Sequence, residues 1–287
     1  SNITSQVNGE SFHIGDAVRF DDTTTNHLVT LGWVLTPSGV TVEAANTFTF
    51  AGSGGLSGPT ALTKKGTGML RVGTTNDYTG GTTVSNGVLS VSGGKAIGDS
   101  SAVVMANIAT ASFVINDGES IGSLAGGGTS GGHVLINSGT LTTGGNGSNT
   151  TFAANISGMG AFTKTGDGTM TLTGFTILLG NLVVKSGALV VDASGSVTTL
   201  NYQSIGADTG DNATLTLKGG STYSMASDFT LGDIGGSVGT LNVANNASLT
   251  ATRFFVGAAN ASGSTASGTV NQSGGSVTET STSLGDF

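Results

Sequence analysis

Short runs of alternating apolar and polar residues recur along this chain and predict β-strands. Leu70 and Val72 flank the polar Arg71, and Leu89 and Val91 have the same spacing. Because successive side chains of a strand point to opposite faces, each run places its aliphatic residues on one face and its polar residues on the other. The glycines that separate these runs are Gly66, Gly68, Gly80 and Gly87. Glycine accepts the backbone angles of tight turns, so the pattern predicts a nearly all-β chain of many short strands.

The segment Leu62–Ser92 is repeated 100 residues later as Phe162–Asp192. When residues 56–91 are laid over residues 156–191 without a gap, 12 of 36 positions are identical. In the first copy these positions are Ser57, Gly58, Ala61, Thr63, Lys64, Gly66, Gly68, Gly80, Val84, Gly87, Leu89 and Val91. Glycines and aliphatic residues dominate this set, so we expect the repeat to serve turning and stacking. The Asp-Tyr-Thr of residues 77–79 becomes Ile-Leu-Leu at residues 177–179, and we expect any binding function where the copies differ.

Residues 196–287 follow a shorter period. An aliphatic residue followed by glycine recurs at intervals of 26, 25 and 28 residues, at Ile205-Gly206, Leu231-Gly232, Val256-Gly257 and Leu284-Gly285. The alternating runs between them are Thr214–Leu217, Thr240–Val243 and Thr269–Gln272. A period of 20–30 residues with about three short strands and no helix is typical of a β-solenoid, whose coils stack roughly 4.8 Å apart. We expect on the order of a dozen coils. Leu284–Phe287 begins a further repeat, so we expect the natural protein to continue.

Composition narrows the possible partners. The 287 residues carry a net charge of −8, only 9% charged residues and no cysteine. Without a stripe of Lys and Arg, a nucleic-acid partner is not expected. The 36% hydrophobic fraction argues against disorder. No apolar run approaches the roughly 20 residues of a spanning helix, so no membrane insertion of this segment is expected. No signal peptide is visible, which indicates a piece of a longer protein.

Three segments differ in repeat character. Residues 1–55 contain the single Trp33 and the predicted strands His27–Leu31 and Phe48–Phe50. We predict that this segment forms the first coils with capping character, because an exposed terminal strand recruits other chains. Residues 56–195 contain the two long repeats, and residues 196–287 contain the shorter ones.

Several runs resemble the passenger-associated repeat of bacterial autotransporters. They are Asn76–Thr82, Asn86–Leu89, Ile121–Gly126, Gly139–Leu141, Thr151-Phe152, Ile156–Gly158 and Thr163–Gly168. The resemblance is specific over about residues 45–195 and vaguer over residues 196–287. It implies a right-handed parallel β-helix that is exported by the type V route and displayed at the outer surface of a Gram-negative-type cell. It also implies a C-terminal outer-membrane translocator barrel in the full-length protein.

Several strings are similar to catalytic motifs. Three match the G-x-S-x-G nucleophile elbow and centre on Ser120, Ser130 and Ser237. The elbow requires a tight strand-to-helix turn, and we predict no helix after any of these serines. Residues 98–101 are similar to the serine-protease nucleophile motif but lack its final glycine, and the glycine-rich residues 126–131 precede no helix that would hold a phosphate. We therefore predict no catalytic residue.

Glycan-active β-helices place paired carboxylates on one face. The best candidates here are Asp208 and Asp211, with Asp228 and Asp233 about one coil later, although carboxylates in surface turns are the commoner explanation. The three histidines, among them His13 and His27, are dispersed and there is no cysteine, so neither a metal site nor another cofactor is expected. The aromatic residues considered for outward stacking on sugars are Tyr78, Tyr202, Tyr223 and Phe254 or Phe255. One ring of the adjacent pair must lie inward, whatever the function.

The sequence thus favours a non-catalytic, cell-surface or secreted passenger segment that serves as a β-helical stalk for adhesion or self-association. Faces rich in Thr, Ser and Asn suit contact between cells in a biofilm, or binding to a host or glycan surface. Two alternatives stay open. One is a polysaccharide lyase or hydrolase that uses Asp208, Asp211 and Asp233, and the other is a pure spacer that presents a separate domain.

Overall fold

A computed structural model describes residues 13–193, 195–257 and 265–281. Within these ranges the chain forms 33 β-strands and no α-helix. The chain divides into two compact units. Unit 1 comprises Ser1–Asn146 with Ala153–Asn155, and unit 2 comprises Gly147–Phe152 with Ile156–Phe287.

The described strands of unit 1 are β1 (Ala17–Asp21), β2 (Leu28–Thr30), β3 (Val34–Leu35), β4 (Gly39–Glu43), β5 (Phe48–Ala51), β6 (Gly55–Leu56), β7 (Ala61–Lys65), β8 (Met69–Val72), β9 (Thr82–Val84), β10 (Val88–Val91), β11 (Ala102–Met105), β12 (Ser112–Ile115), β13 (Glu119–Ile121), β14 (Ser123–Gly126), β15 (His133–Ile136) and β16 (Thr140–Thr143). Two sheets run in the orders β1-β4-β7-β9-β11-β14 and β2-β5-β8-β10-β12-β15. Among the described residues of unit 1, a third face holds the pairs β3-β6 and β13-β16. All these pairings are parallel, so each coil adds one strand to each sheet, except where the third face is interrupted.

The described strands of unit 2 are β17 (Thr150–Phe152), β18 (Ile156–Gly158), β19 (Ala161–Lys164), β20 (Thr169–Leu172), β21 (Phe175–Leu178), β22 (Leu182–Val184), β23 (Ser186–Val191), β24 (Ser196–Thr199), β25 (Gln203–Ile205), β26 (Asn212–Leu217), β27 (Thr222–Met225), β28 (Asp228–Leu231), β29 (Val238–Val243), β30 (Ser248–Ala251), β31 (Arg253–Val256), β32 (Ser267–Gln272) and β33 (Ser276–Glu279). Its parallel sheets run β17-β20-β23-β26-β29-β32, β18-β21-β24-β27-β30-β33 and β19-β22-β25-β28-β31. The predicted all-β parallel solenoid with about three short strands per coil is confirmed.

The two halves of each long repeat are successive coils in register. The stacked aliphatic pairs are Leu70 on Leu89 and Val72 on Val91 in unit 1, and Met170 on Leu189 and Leu172 on Val191 in unit 2. All eight side chains are buried, as the alternation predicts. Full burial of one such side chain contributes about 1.5–3 kcal/mol, so these columns are the main stabilising feature of the coils.

The shorter period is also confirmed where the structure describes it. Ile205 pairs with Leu231, and Leu231 pairs with Val256, at the ends of β25, β28 and β31. The glycine after each has positive φ, so each coil turns at the same place. The predicted strands Thr214–Leu217, Thr240–Val243 and Thr269–Gln272 pair residue for residue. Leu284-Gly285 and the further repeat at Leu284–Phe287 lie outside the described residues.

In the first segment the predicted strands are present as β2 and β5. The division into segments 1–55, 56–195 and 196–287, and the capping character of the first, stay predictions. Within the described residues there is no helix with the length and apolar character that crossing a membrane requires.

Candidate functional site

Two lysines that recur in the repeat lie in the interior. Lys64 alternates with Leu62 on the inward side of β7, and Lys164 alternates with Phe162 on the inward side of β19. Both are buried, and burial lowers the pKa of each to about 8, so both ammonium groups are still mainly protonated at neutral pH.

Each buried ammonium donates to three backbone carbonyls. Lys64 Nζ contacts the oxygens of Lys65 (2.5 Å), Gly66 (2.8 Å) and Asn86 (3.3 Å). Lys164 Nζ makes the same set of contacts, to the oxygens of Thr165 (2.8 Å), Gly166 (2.8 Å) and Ser186 (3.3 Å). In each case the third carbonyl belongs to the next coil. The repeated lysine therefore clips two successive coils together, which gives it a structural role rather than a ligand-binding one.

The third face of unit 1 is interrupted between β6 and β13, where buried side chains supplement the backbone hydrogen bonds that remain. Asn76 Oδ1 accepts from the Leu56 amide at 2.7 Å, while Asn76 Nδ2 donates to the Ala96 carbonyl at 2.6 Å. The Glu119 carboxylate then accepts from the amides of Ala96 and Ile97, both at 3.1 Å. These contacts satisfy backbone groups that a regular ladder would otherwise pair.

Glu119 is an acidic group in a mostly apolar setting. Its pKa is raised to about 7, first because burial disfavours the charged form and also because of the nearby charge of Asp99, while the Ile97 and Ala96 amides act in the opposite direction. Its carboxylate oxygens face these amides, so its geometry is that of a structural acceptor.

A groove of about 500 Å³ lies beside this interruption. Its lining residues are Val34, Leu56, Thr75, Asn76, Asp77, Lys95, Asp99 and Ser100. In the described part of the chain, the exposed Asp77, Lys95 and Asp99 make no side-chain hydrogen bond or ion pair with another protein group. The groove thus combines an apolar edge at Val34 with free polar groups, which suits a hydroxyl-rich ligand.

Two of the aromatic residues proposed for sugar stacking lie inside the solenoid. Tyr78 and Tyr223 are buried, so their predicted outward placement is wrong. Tyr78 alternates with the buried Asn76, and its hydroxyl lies 2.6 Å from Thr82 Oγ1. Tyr223 pairs with the inward Val197 and donates to Gln203 Oε1 at 3.0 Å. Burial raises the pKa of both phenols, and an interior hydrogen bond takes the place of water for each hydroxyl.

The other aromatic candidates are half-buried. Tyr202 donates its hydroxyl to Asp233, and its pKa is raised to about 12, first by burial and then by that carboxylate. The Phe254 ring stacks on the buried Phe229 with centroids 5.3 Å apart, whereas the Phe255 ring lies 5.5 Å from the Arg253 guanidinium. One ring of the pair is therefore directed inward, as predicted.

The four candidate carboxylates each have a structural partner. Asp208 pairs with Lys185 at 2.6 Å, and Asp211 accepts from the amides of Ala207 and Asp208 in the same turn. Asp228 binds Arg253 in a two-point contact at 2.8 and 2.6 Å, and Asp233 accepts from Tyr202. These contacts tie turns and adjacent coils together.

The serine strings also have structural positions. Ser120 lies within β13, Ser130 donates its amide to Asn107 Oδ1, and the buried Ser237 donates its hydroxyl to the Ile234 carbonyl. In residues 98–101, Ser101 is buried and donates to the Gly80 carbonyl. Where the chain is described, none of these serines precedes a helix, the feature that the nucleophile elbow needs.

The histidines are separate from one another. His13 is exposed beside Asp16, His27 packs edge-on against Phe48 with centroids 4.8 Å apart, and His133 begins β15. Among the residues that the structure describes, no group of three or more His, Cys, Asp or Glu side chains is arranged to hold a metal ion.

The segment that differs between the repeats has a different structure in each copy. Residues 74–79 form no strand in unit 1, whereas residues 175–178 form β21, which pairs with β18 and β24 in unit 2. In the first copy the exposed positions are Thr75, Asp77 and Thr79; in the second they are Phe175, Ile177 and Leu179. The divergence therefore converts a polar outward face into an apolar one.

Sequence reasoning missed the interior roles of Lys64, Asn76 and Glu119. A signal for two of them was present, because Lys64 alternates with the inward Leu62, and Glu119 alternates with the inward Ile121. Asn76 lies in a non-strand segment, where alternation is not a guide.

Comparison with known proteins gives a family-model match and a match to one relative. The family model described as passenger-associated-transport-repeat matches residues 62–91 and 162–191. Over 134 residues, 46% of this chain, the sequence is 40% identical to a protein of Brucella suis biovar 1 (strain 1330) described as "Adhesin BmaC autotransporter". The aligned part is 4% of that protein's length. No solved structure matches this chain. The two ranges that the family model matches fold as paired coils. The resemblance of this chain to autotransporter passengers with passenger-associated repeats is confirmed.

Proposed function

We propose that this chain is a non-catalytic passenger segment, displayed at a bacterial cell surface or released from it, that acts as a β-helical stalk for adhesion or self-association. The observation that carries the proposal is the folding of both matched repeats into stacked coils, in a chain similar to an autotransporter described as an adhesin. Each repeat preserves a lysine clip and an aliphatic column, so the repeats supply a stable scaffold.

The engagement of the candidate carboxylates supports the non-catalytic part. Asp208, Asp228 and Asp233 each bind a neighbouring side chain. A glycosidase needs two carboxylates directed at one scissile bond, about 5–10 Å apart across a substrate cleft. The groove beside Asn76 supports glycan binding as the adhesive contact, because the Asp77 and Asp99 side chains that line it make no hydrogen bond with another described protein group.

The test is attachment of cells that display this chain through a translocator, against cells that display the translocator alone. We expect the displaying cells to adhere to one another or to glycan-coated or host-matrix surfaces. An Asp77→Ala/Asp99→Ala variant should reduce attachment to glycan-coated surfaces, and an Asp167→Ala variant, which removes one exposed carboxylate outside the groove, is its control. No attachment to any surface and no cell–cell association would contradict the adhesive role. Release of reducing sugar that is lost in Asp208→Asn would contradict the non-catalytic one.

A further inference from the structure

Unit 2 carries a cluster of exposed apolar side chains on three adjacent coils. Gly158 pairs with Leu178 in the parallel register of β18 and β21, and Leu178 pairs with Thr199 in the register of β21 and β24. The residues that follow these three therefore occupy equivalent positions on successive coils. The hydrogen bonds of the Leu179 amide to Gly158 and of the Leu200 amide to Leu178 extend this register by one residue. We call the side chains of Met159, Ile177, Leu179 and Leu200 the apolar column.

The members of the apolar column are unusually exposed for their type. Met159 is 69% exposed, Ile177 57%, Leu179 48% and Leu200 54%. Phe175, 55% exposed, lies at the start of β21 on the same outward side as Ile177. Five of the nine exposed large hydrophobic residues described in unit 2 are thus gathered on neighbouring coils. Single exposed apolar residues are ordinary, but a cluster of this kind marks an interaction surface.

The outward strand positions of unit 2 that adjoin the apolar column are uncharged. The outward positions next to it in β18 and β24 are Ser157, Ser196 and Thr198, and in the following strand they are Thr222 and Ser224. The chain as a whole has a net charge of −8, so two copies repel each other wherever their acidic groups meet. A neutral apolar face is a surface on which two copies approach without opposing like charges.

The size of this surface fits a weak contact between copies. The four side chains of the apolar column and Phe175 together present on the order of 300–400 Å² of apolar surface. A symmetric pair of copies would therefore bury roughly 700 Å². A stable protein–protein interface buries about 1,200–2,000 Å². The contact between two copies, even with its polar rim, is therefore a weak and transient interface. Weak contacts of this kind gain strength when many copies face one another on opposed surfaces.

We propose that the apolar column is a self-association surface whose partner is the same face of a second copy of this chain. The proposal rests on the adhesive function proposed above and names one partner for it. A two-fold arrangement brings Ile177 and Leu179 of each copy against the apolar column of the other, since such an interface uses the same patch twice. The first repeat carries Asp77 and Thr79 at these positions, so its sequence supplies a natural substitution for the test.

Sedimentation equilibrium of the 287-residue chain tests the proposal. We expect the weight-average mass of the unaltered protein to rise with concentration into the millimolar range. The Ile177→Asp/Leu179→Thr variant should raise the dissociation constant at least tenfold. Val104→Asp, which changes a comparably exposed apolar residue on β11 of unit 1, should leave it unchanged. Circular dichroism and the melting temperature report whether each variant is folded.

A second variant tests the same surface if the first variant does not fold. Met159→Ser/Leu200→Ser changes only residues that follow strands, and it should weaken association by a similar factor. An unaltered protein that stays monomeric at millimolar concentration overturns the proposal. A folded variant of the apolar column that associates with the same dissociation constant as the unaltered protein also overturns it. If monomeric protein still supports cell attachment through the apolar column, the partner is a foreign surface and only the proposed function survives. If copies associate through the apolar column but displaying cells attach to nothing, the proposed function fails and this inference stands.

Discussion

Lys64 and Lys164 occupy positions at which the alternation of a buried strand would normally place an aliphatic side chain. A lone buried cation is costly unless it is well hydrogen-bonded. Here three carbonyl oxygens surround each ammonium, and one of them comes from the next coil. The recurrence of the lysine in both copies is therefore explained by coil stacking.

Replacement of either lysine by methionine should destabilise the chain. Lys64→Met keeps the length of the side chain but leaves three carbonyl groups without their donor, at an expected cost of about 1–3 kcal/mol in the free energy of unfolding. Lys65→Met, at the exposed neighbouring position, should change it by less than about 0.5 kcal/mol. Urea denaturation of both variants measures the difference. Equal stability of the two would show that the clip contributes nothing.

Gly87 is a second recurring residue whose conservation between the two copies has a direct geometric cause. Its φ is +70°, and a Cβ atom there would lie 2.4 Å from the carbonyl oxygens of Gly66 and Gly68 in the preceding coil. Gly93 also has positive φ, at +87°, but nothing lies within 4 Å of its Cβ position. A comparison of variants at the two positions therefore distinguishes the cost of backbone strain from the cost of steric overlap.

The alanine variants at these two positions should therefore differ. Gly93→Ala should cost about 1 kcal/mol, the usual penalty for a left-handed residue with a side chain. Gly87→Ala meets the same strain and a clash with backbone, so it should cost about 2 kcal/mol more. Thermal and urea unfolding of both variants check the prediction. Similar losses at both positions would mean that the coils separate easily enough to admit a methyl group.

At the scale of the strand, the third face of unit 1 shows how side chains repair an interrupted ladder. Asn76 bridges Leu56 to Ala96, and Glu119 completes the series at Ala96 and Ile97. The arrangement leaves the ionisable Glu119 side chain in the interior.

Because of Glu119, the chain should be more stable at pH 5 than at pH 8. The pKa of a glutamate side chain is ordinarily about 4.5, and burial raises that of Glu119 to about 7 in the folded chain, so between these values the folded protein holds a proton that the unfolded chain releases. Stability is therefore greatest at the acidic end of this window and falls as the pH rises through it. The contribution between pH 5 and pH 8 is about 2 kcal/mol, since one pKa unit is about 1.4 kcal/mol.

Urea titrations of the unaltered chain and of Glu119→Gln at pH 5 and pH 8 measure this effect. The pH dependence of the unaltered chain should be steeper than that of the variant by about 2 kcal/mol, with other titrating groups common to both. Identical pH dependence would place the carboxylate in contact with water instead.

The extent to which the sequence predicted these elements follows from the physics of alternation. Stacked rows such as Leu70 on Leu89 could be predicted, because strand geometry and a repeated pattern fix the inward face. The same rule places Lys64 and Glu119 on the inward face, although charged side chains usually lie in solvent. Tyr78 was misplaced because its interior partner Thr82 becomes apparent only when the turn is folded. The interruption of the third face depends on contacts between coils, which alternation within one run does not encode.

At the scale of the whole molecule, low charge density and a net charge of −8 shape how copies meet. Long-range repulsion between copies is screened by salt, with a Debye length that falls from about 30 Å at 0.01 M to about 10 Å at 0.1 M. A contact through an apolar surface is not weakened by the same ions.

Self-association should therefore strengthen with ionic strength. Between 10 mM and 300 mM sodium chloride we expect the association constant to rise severalfold, because repulsion is screened while the apolar contact persists. Static light scattering over a salt series provides the measurement. Weaker association at higher salt would indicate ion pairs between copies and would contradict an apolar contact.

We propose that the repeats build the scaffold and that interaction lies where the copies differ. The most direct test of this proposal is the settling rate of cells that display the unaltered chain, the Ile177→Asp/Leu179→Thr variant or the Val104→Asp control, at equal surface density. The unaltered and control cells should settle together, and the variant cells should stay in suspension while the displayed chain remains folded. Settling of the variant cells at the unaltered rate would contradict the proposal.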